Sequence, residues 1–188
     1  FERSFSSILD RLTTNAVRMQ MPIGVESNFC GVVNLLEEKA FEFHGDHGEK
    51  VKEIPVPEEL KGGMKKYRHE LIEKIVEGDD GLMSKYLEGH EIPLDDLKRV
   101  LRRAVLDTRI IPVFCGSALK NKGVQFILDA VVDYLPSPVD LPPVKGIDPK
   151  TGSEETREAD DKAPFSALAF KVATDPYVGK LIYFRNYS

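Results

Sequence analysis

An α/β sheet interrupted by an α+β insert, and followed by the first strands of a β-barrel, is the architecture that three observations in the sequence predict. Helix-then-strand periodicity occurs near the start of the chain and returns over residues 110–135. Short strands and helices of a different rhythm fill the interval between. A stretch rich in Pro, Gly and charge then separates all of this from two alternating strands at the end.

Phe5, Ile8, Leu9 and Leu12 recur at i, i+3, i+4 and i+7, the apolar stripe of an amphipathic helix, and Val17, Met19, Met21 and Ile23 then alternate as in a strand. Residues 1–25 therefore form a helix and strand of the α/β part. Strands are expected around 29–36 and 39–43, then a GDHG turn and a short strand near 50–54. From about Glu58 to Glu77, Leu60, Met64, Tyr67, Leu71 and Ile75 mark the longest helix. Leu94, Leu97, Val100, Leu101 and Ala104 mark another, opened by Pro93. Residues 26–105 thus read as the inserted α+β subdomain.

The α/β rhythm resumes over 106–138. IIPVFCG, residues 110–116, is a compact buried-strand run, and Val124, Ile127, Leu128, Val131, Val132 and Leu135 follow at helical spacing. Pro136 and Pro138 end that helix, because proline supplies no N–H to the helical ladder. Residues 139–163 lack apolar periodicity and read as a linker. FSALAFKVATDP and YVGKLIYFRNYS, within 164–188, read as two strands joined at TDPYVG, the opening hairpin of a barrel. The chain starts without Met and inside a helical pattern, which suggests a piece of something longer.

Composition narrows the function classes. Of the 188 residues, 41% are hydrophobic and 30% charged, and no apolar run approaches the ~20 residues that cross a bilayer, so a membrane role is not expected. The net charge is −5 and the basic residues are interspersed with acidic ones, so any nucleic-acid connection should run through a protein partner. Cys30 and Cys115 sit in apolar runs and read as free buried thiols. His44 and His47 lie in a Gly-containing turn and read as solvated residues, with no evident source of further metal ligands.

The sequence contains no Gly-rich loop ending in Lys-Ser/Thr and no convincing nucleophile-histidine arrangement, so no catalysis is expected of this chain alone. The informative segment is the Gly116-Ser117-Ala118 turn that follows the strand at 110–116. At the carboxyl end of a strand in an open α/β sheet, small residues let backbone N–H groups approach a flat ligand. The residues alone leave open this reading and that of an ordinary strand-to-helix connection.

PVFCGSALKNKGVQFILDAVVDYLPSPVD resembles the fifth guanine-nucleotide motif and the closing G-domain helix of the bacterial elongation factor G family. QMPIG at 20–24, KYLEGHE at 85–91 and PFSALAFKVATDPYVGKLIYFRNYS at 164–188 resemble the same family, in the same order. The fold this implies is the C-terminal part of a P-loop GTPase-type sheet carrying its insert, then the start of the next domain. The backbone of Ser117 and Ala118 would contact the guanine base, with Leu119 packed beside it. The phosphate loop, both switch regions and the Asn-Lys-x-Asp motif would precede Phe1. GTP or GDP and Mg²⁺ would accordingly belong to a full-length cytoplasmic GTPase that drives tRNA and mRNA movement, and none is expected in the fragment.

The resemblance also implies that the insert meets the ribosomal stalk protein, making the ribosome the partner and tRNA and mRNA contacts indirect. Glu70, Glu73 and Glu77 lie along one face of the long helix and are the candidate docking residues. A solvated face, helped by a Glu70–Lys74 pair, is the alternative for them. For the chain as a whole the alternatives are another translational GTPase, such as a release or ribosome-protection factor, or a free-standing interaction module. The large insert and KYLEGHE argue against the first.

Overall fold

A computed structural model describes residues 1–148 and 150–188, so Pro149, which falls in the expected linker, lies outside the described residues. The elements in chain order are α1 (Glu2–Arg11), β1 (Ala16–Arg18), β2 (Gln20–Ile23), β3 (Gly31–Asn34), β4 (Lys39–His44), β5 (Lys50–Ile54), α2 (Glu58–Val76), α3 (Asp80–Leu87), α4 (Leu94–Leu106), β6 (Ile111–Val113), α5 (Val124–Tyr134), β7 (Val144–Ile147), β8 (Glu154–Arg157), β9 (Ala167–Asp175) and β10 (Gly179–Asn186). The protein is mixed α/β with several small sheets, and it divides into two compact units, Phe1–Leu135 and Pro136–Ser188.

In the first unit β1 and β6 run parallel, with Val17 opposite Pro112. Strands β2 to β5 form an antiparallel meander in sequence order. Met19 joins the two sheets. Its N–H donates to the Val113 carbonyl at 2.9 Å, extending the parallel ladder, and its carbonyl accepts from the Leu35 N–H at 3.0 Å, extending the antiparallel one. Residues 16–23 are therefore one extended segment that changes partners at a buried methionine.

Helix boundaries follow local chemistry. Pro57 and Pro93 precede α2 and α4, and each helix has two acidic residues in its first turn, where negative charge complements the helix dipole. Asp79 caps α3 by accepting the Leu82 N–H at 3.0 Å. One hydrophobic core joins Val17, Met19 and Met21 to Leu71 and Ile75 of α2, Leu97 and Leu101 of α4, and Tyr134 of α5. It thus crosses both ends of the 26–105 stretch. Periodicity reveals which face of an element is apolar, but not which element covers it.

The second unit contains two antiparallel hairpins, β7–β8 and β9–β10. The first lies within the stretch that reads as a linker. Its turn is closed by the Asp148 carboxylate, which accepts from the Lys150 N–H at 2.8 Å and the Thr151 hydroxyl at 2.9 Å, and these bonds hold its pKa below the ordinary value. The hairpin escapes a hydrophobic-pattern reading because β8 is Glu-Glu-Thr-Arg, with no apolar alternation. In the β9–β10 turn, Asp175 likewise accepts from the Tyr177 and Val178 N–H groups. Phe170 and Phe184 remain exposed in that hairpin.

Core and surface apolar residues should respond differently to truncation. Ile75→Ala, at a fully buried position, should destabilise the first unit by roughly 2–5 kcal/mol. Leu119→Ala, at a side chain that is 97% exposed, should change stability by less than about 0.5 kcal/mol. Urea unfolding of both variants checks the pair, and similar losses would show that Leu119 packs on the protein.

Candidate functional site

Strand β6 ends at Val113, and Phe114, Cys115 and Gly116 carry the chain into a compact turn that closes on itself before α5. The Ser117 N–H donates to the Lys122 carbonyl at 2.8 Å, and the Lys122 N–H returns a bond to the Ser117 carbonyl at 3.0 Å. Within this frame the Lys120 and Asn121 N–H groups donate to the Ser117 and Ala118 carbonyls. Two glycines permit the close approach: a Cβ at Gly116 would lie 2.7 Å from the Lys122 carbonyl oxygen, and Gly123 has φ +85°. Neither position accepts a larger residue without rearrangement.

This geometry distinguishes the three residues singled out from the sequence. The N–H of Ser117 is committed to the turn, whereas those of Ala118 and Leu119 have no hydrogen-bond partner among the described residues. Ala118 and Leu119 are also exposed, and Ser117 is half-buried. The turn therefore offers two adjacent backbone donors, a small Cβ and an apolar side chain at the carboxyl end of a parallel strand. Behind it, the Cys115 N–H reaches the Oε1 of Gln20, a side chain only 1% exposed, at 3.4 Å. Burial pushes the Cys115 thiol up to about 12, so it is protonated and poorly nucleophilic near neutral pH.

Contacts that sequence reading did not reveal brace the turn from the antiparallel sheet. Lys122 Nζ donates to the Phe29 carbonyl at 2.8 Å, and Gln125 Nε2 to the Gly48 carbonyl at 3.4 Å. Phe126 packs against Phe41 and Phe43 of β4, with ring centroids 5.0 and 6.1 Å apart. These pairs are separated by 77 to 93 residues or lie across elements, so spacing gives no sign of them; only the run of polar residues after Leu119 hints that the turn has neighbours to bond.

On α2 and at its C-cap, Glu77, the three candidate acidic residues have different surroundings. Glu70 pairs with Arg18 at 3.3 Å, Glu73 with His69 at 3.3 Å, and Glu77 with Lys74 at 3.0 Å. The Glu70–Lys74 pair of the alternative reading is not found among the described residues: Glu70 pairs with Arg18 and Lys74 with Glu77. Arg18 lies over the rings of Phe5 and Tyr67, 3.9 and 4.4 Å from their centroids, and also pairs with Glu2 at 2.9 Å. That cluster ties α1, β1 and α2 together. Desolvation, followed by the hydrogen bond to Glu2, holds the Tyr67 phenol above its ordinary pKa.

His44 pairs with Glu42 at 3.0 Å, and the His47 N–H donates to Glu49. Among the described residues, no group of three or more His, Cys, Asp or Glu is placed to hold a metal ion. No helix among them is long and apolar enough to cross a membrane.

No family model matches the chain. A crystal structure of a protein from Thermus thermophilus is similar to it, with a TM-score of 0.72 and 26% sequence identity. The similarity covers 97% of this chain and 25% of that one, so the chain spans about a quarter of the length of the protein it matches.

The Arg18 cluster makes one acidic residue of α2 structural and leaves the others on the surface. Arg18→Met keeps much of the stem but removes both ion pairs, and should cost roughly 1–3 kcal/mol. Glu77→Gln should stay within about 0.5 kcal/mol of the parent. Urea midpoints measured at one salt concentration check this, and equal shifts would remove the distinction.

Proposed function

We propose that this chain is the part of an elongation factor G-type translational GTPase that supplies the guanine-base turn and a ribosome-docking subdomain. The observation that carries this reading is the turn itself: the Gly-Ser-Ala-Leu sequence follows a parallel strand, with the Ala118 and Leu119 N–H groups exposed and unpartnered among the described residues. Support also comes from the four sequence blocks in family order and from the similarity to one quarter of a longer protein.

On this reading, the Ala118 N–H donates to the carbonyl oxygen of guanine, while the methyl side chain leaves room for the base. Leu119 lies beside the ring. These contacts involve no proton transfer, so the chain's role is recognition and orientation. The fit extends to the base alone, because the sequence lacks the Gly-rich loop that cradles phosphates. In the longer protein the nucleotide and Mg²⁺ supply phosphoryl-transfer chemistry, with the remaining contacts contributed by other segments. The 188-residue chain by itself should show no saturable GDP binding at micromolar concentrations, as calorimetry can check.

Two substitutions in the longer GTPase test the base contact. Ala118→Asp should weaken GDP affinity at least about 10-fold, because a carboxylate faces the base's carbonyl oxygen, whereas Ser117→Ala should change it less than about 2-fold. Dissociation constants on variants with unchanged melting temperature decide this. Equal losses would mean that the Ser117 hydroxyl, rather than the neighbouring backbone, reads the base.

Docking through α2 is the second part of the proposal. Glu73 and Glu77 form its acidic surface, while Glu70 serves Arg18 as well. Glu73→Lys with Glu77→Lys should lower stalk-stimulated GTP turnover about 3-fold or more at low salt and leave intrinsic GDP affinity unchanged. The defect should shrink at high salt, because exposed charges are screened over about 8 Å at physiological ionic strength. Equal low-salt turnover for variant and parent would show that this face is only solvated. A start codon directly before Phe1 in the gene would favour a free-standing module, whereas an upstream Asn-Lys-x-Asp segment favours the GTPase.

A further inference from the structure

We propose that the antiparallel sheet holds the Gly116–Gly123 turn in its base-receiving conformation, with Lys122 and Gln125 as positioning residues and the backbone at Gly48 as a steric stop. The inference rests on the guanine-turn reading above and extends it from the residues that would touch the base to those that would aim them.

The turn needs such support. Ala118 and Leu119 stand exposed at its tip, and its internal hydrogen bonds all lie within the segment from Ser117 to Lys122. Fixing a free backbone residue costs about 1–2 kcal/mol, so a loose turn would surrender much of any base contact to ordering on binding. Its C-terminal flank is instead tethered, through Lys122 and Gln125, to a sheet whose core residues Val32, Val33 and Ala40 are fully buried. Lys122 supplies a charge-assisted bond to Phe29, at the end of the 3-10 turn over Glu26–Asn28. Gln125, in the first turn of α5, bonds Gly48 in the β4–β5 loop.

Gly48 also limits movement in one direction. Its φ is +61°, and a Cβ there would lie 2.9 Å from the Lys120 carbonyl oxygen and 3.1 Å from that of Asn121. The β4–β5 loop thus abuts the back of the turn, backbone to backbone. Gln125 adds a further sign: its Oε1 is buried and has no hydrogen-bond partner among the described residues. An unpartnered buried carbonyl lowers stability, so the contact to Gly48 is held at a cost. The consequence is a mechanical link. A shift of the loops around Phe29 or Gly48 moves the atoms to which Ala118 and Leu119 are anchored, and so couples the inserted sheet to base affinity.

Lys122→Met, which keeps an apolar stem and removes the ammonium, and Gly48→Ala, which drives a methyl into the turn, test the link independently. In the isolated chain, NMR-detected amide exchange at Ser117, Lys120 and Asn121 should accelerate about fivefold in Lys122→Met, the effect of one lost hydrogen bond, and Lys122→Arg should restore it. In a GDP-binding longer protein that still unfolds cooperatively, Lys122→Met should weaken GDP about fivefold through faster dissociation. Unchanged exchange in Lys122→Met overturns the clamp, and unchanged exchange in Gly48→Ala overturns the steric stop. Faster exchange with unaltered GDP affinity overturns the positioning role. If the longer protein binds no GDP at all, the guanine reading falls, and the exchange data separate that failure from a failure of the clamp.

Discussion

The arrangement depends on one extended segment that bonds to two sheets. Met19 closes the parallel ladder through its N–H and opens the antiparallel ladder through its carbonyl, so residues 16–18 and 20–23 cannot move independently. Because β1 pairs with β6, the strand that delivers the turn is registered by the same segment that registers the meander. The shared core completes the constraint. Val17, Met19 and Met21 bury beside α2 and α4, so displacing those helices would expose apolar surface belonging to the strand pair as well.

From that registration follows the placement of chemistry. The turn after β6 uses the Ser117 N–H to close itself and leaves its neighbours' donors outward, a division set by the paired bonds between Ser117 and Lys122. The β2–β3 and β4–β5 loops then reach the far side of the turn because the meander is held in register with β6. Helix α2 carries the other candidate surface, where Glu70 is engaged by Arg18 while Glu73 and Glu77 pair locally on the helix. Local i,i+3 and i,i+4 pairs at exposed positions contribute little to stability, which leaves such carboxylates free to exchange partners.

The parts of this structure visible in the sequence are those with local causes. The apolar stripes of α2 and α4, the proline entries to both helices, and the small residues of the Gly116–Ala118 turn all follow from short-range periodicity or backbone preference. The mixed α/β class is legible for the same reason. The β7–β8 hairpin is not, since Asp148 bonding closes it and its second strand is wholly polar. Nor is the partner of Glu70: Lys74 stands four residues away and Arg18 fifty-two, yet Phe5, Tyr67 and Glu2 hold the arginine in place. At the candidate site the family resemblance of the segment picks out Ser117, Ala118 and Leu119 together, but the commitment of the Ser117 N–H and the tethers at Lys122 and Gln125 arise only when the turn meets the sheet.

Donation from the Ala118 backbone to a guanine base is the contact on which the proposed function rests. The most direct measurement is the ¹⁵N–¹H resonance of Ala118 in the proposed longer GTPase, followed as GDP and then ADP are added. Formation of the bond predicts a downfield amide-proton shift and slowed exchange at Ala118 with GDP, no comparable change with ADP, and little change at Ser117, whose N–H is already bonded to Lys122. Saturable GDP binding with the Ala118 amide unmoved would contradict the account.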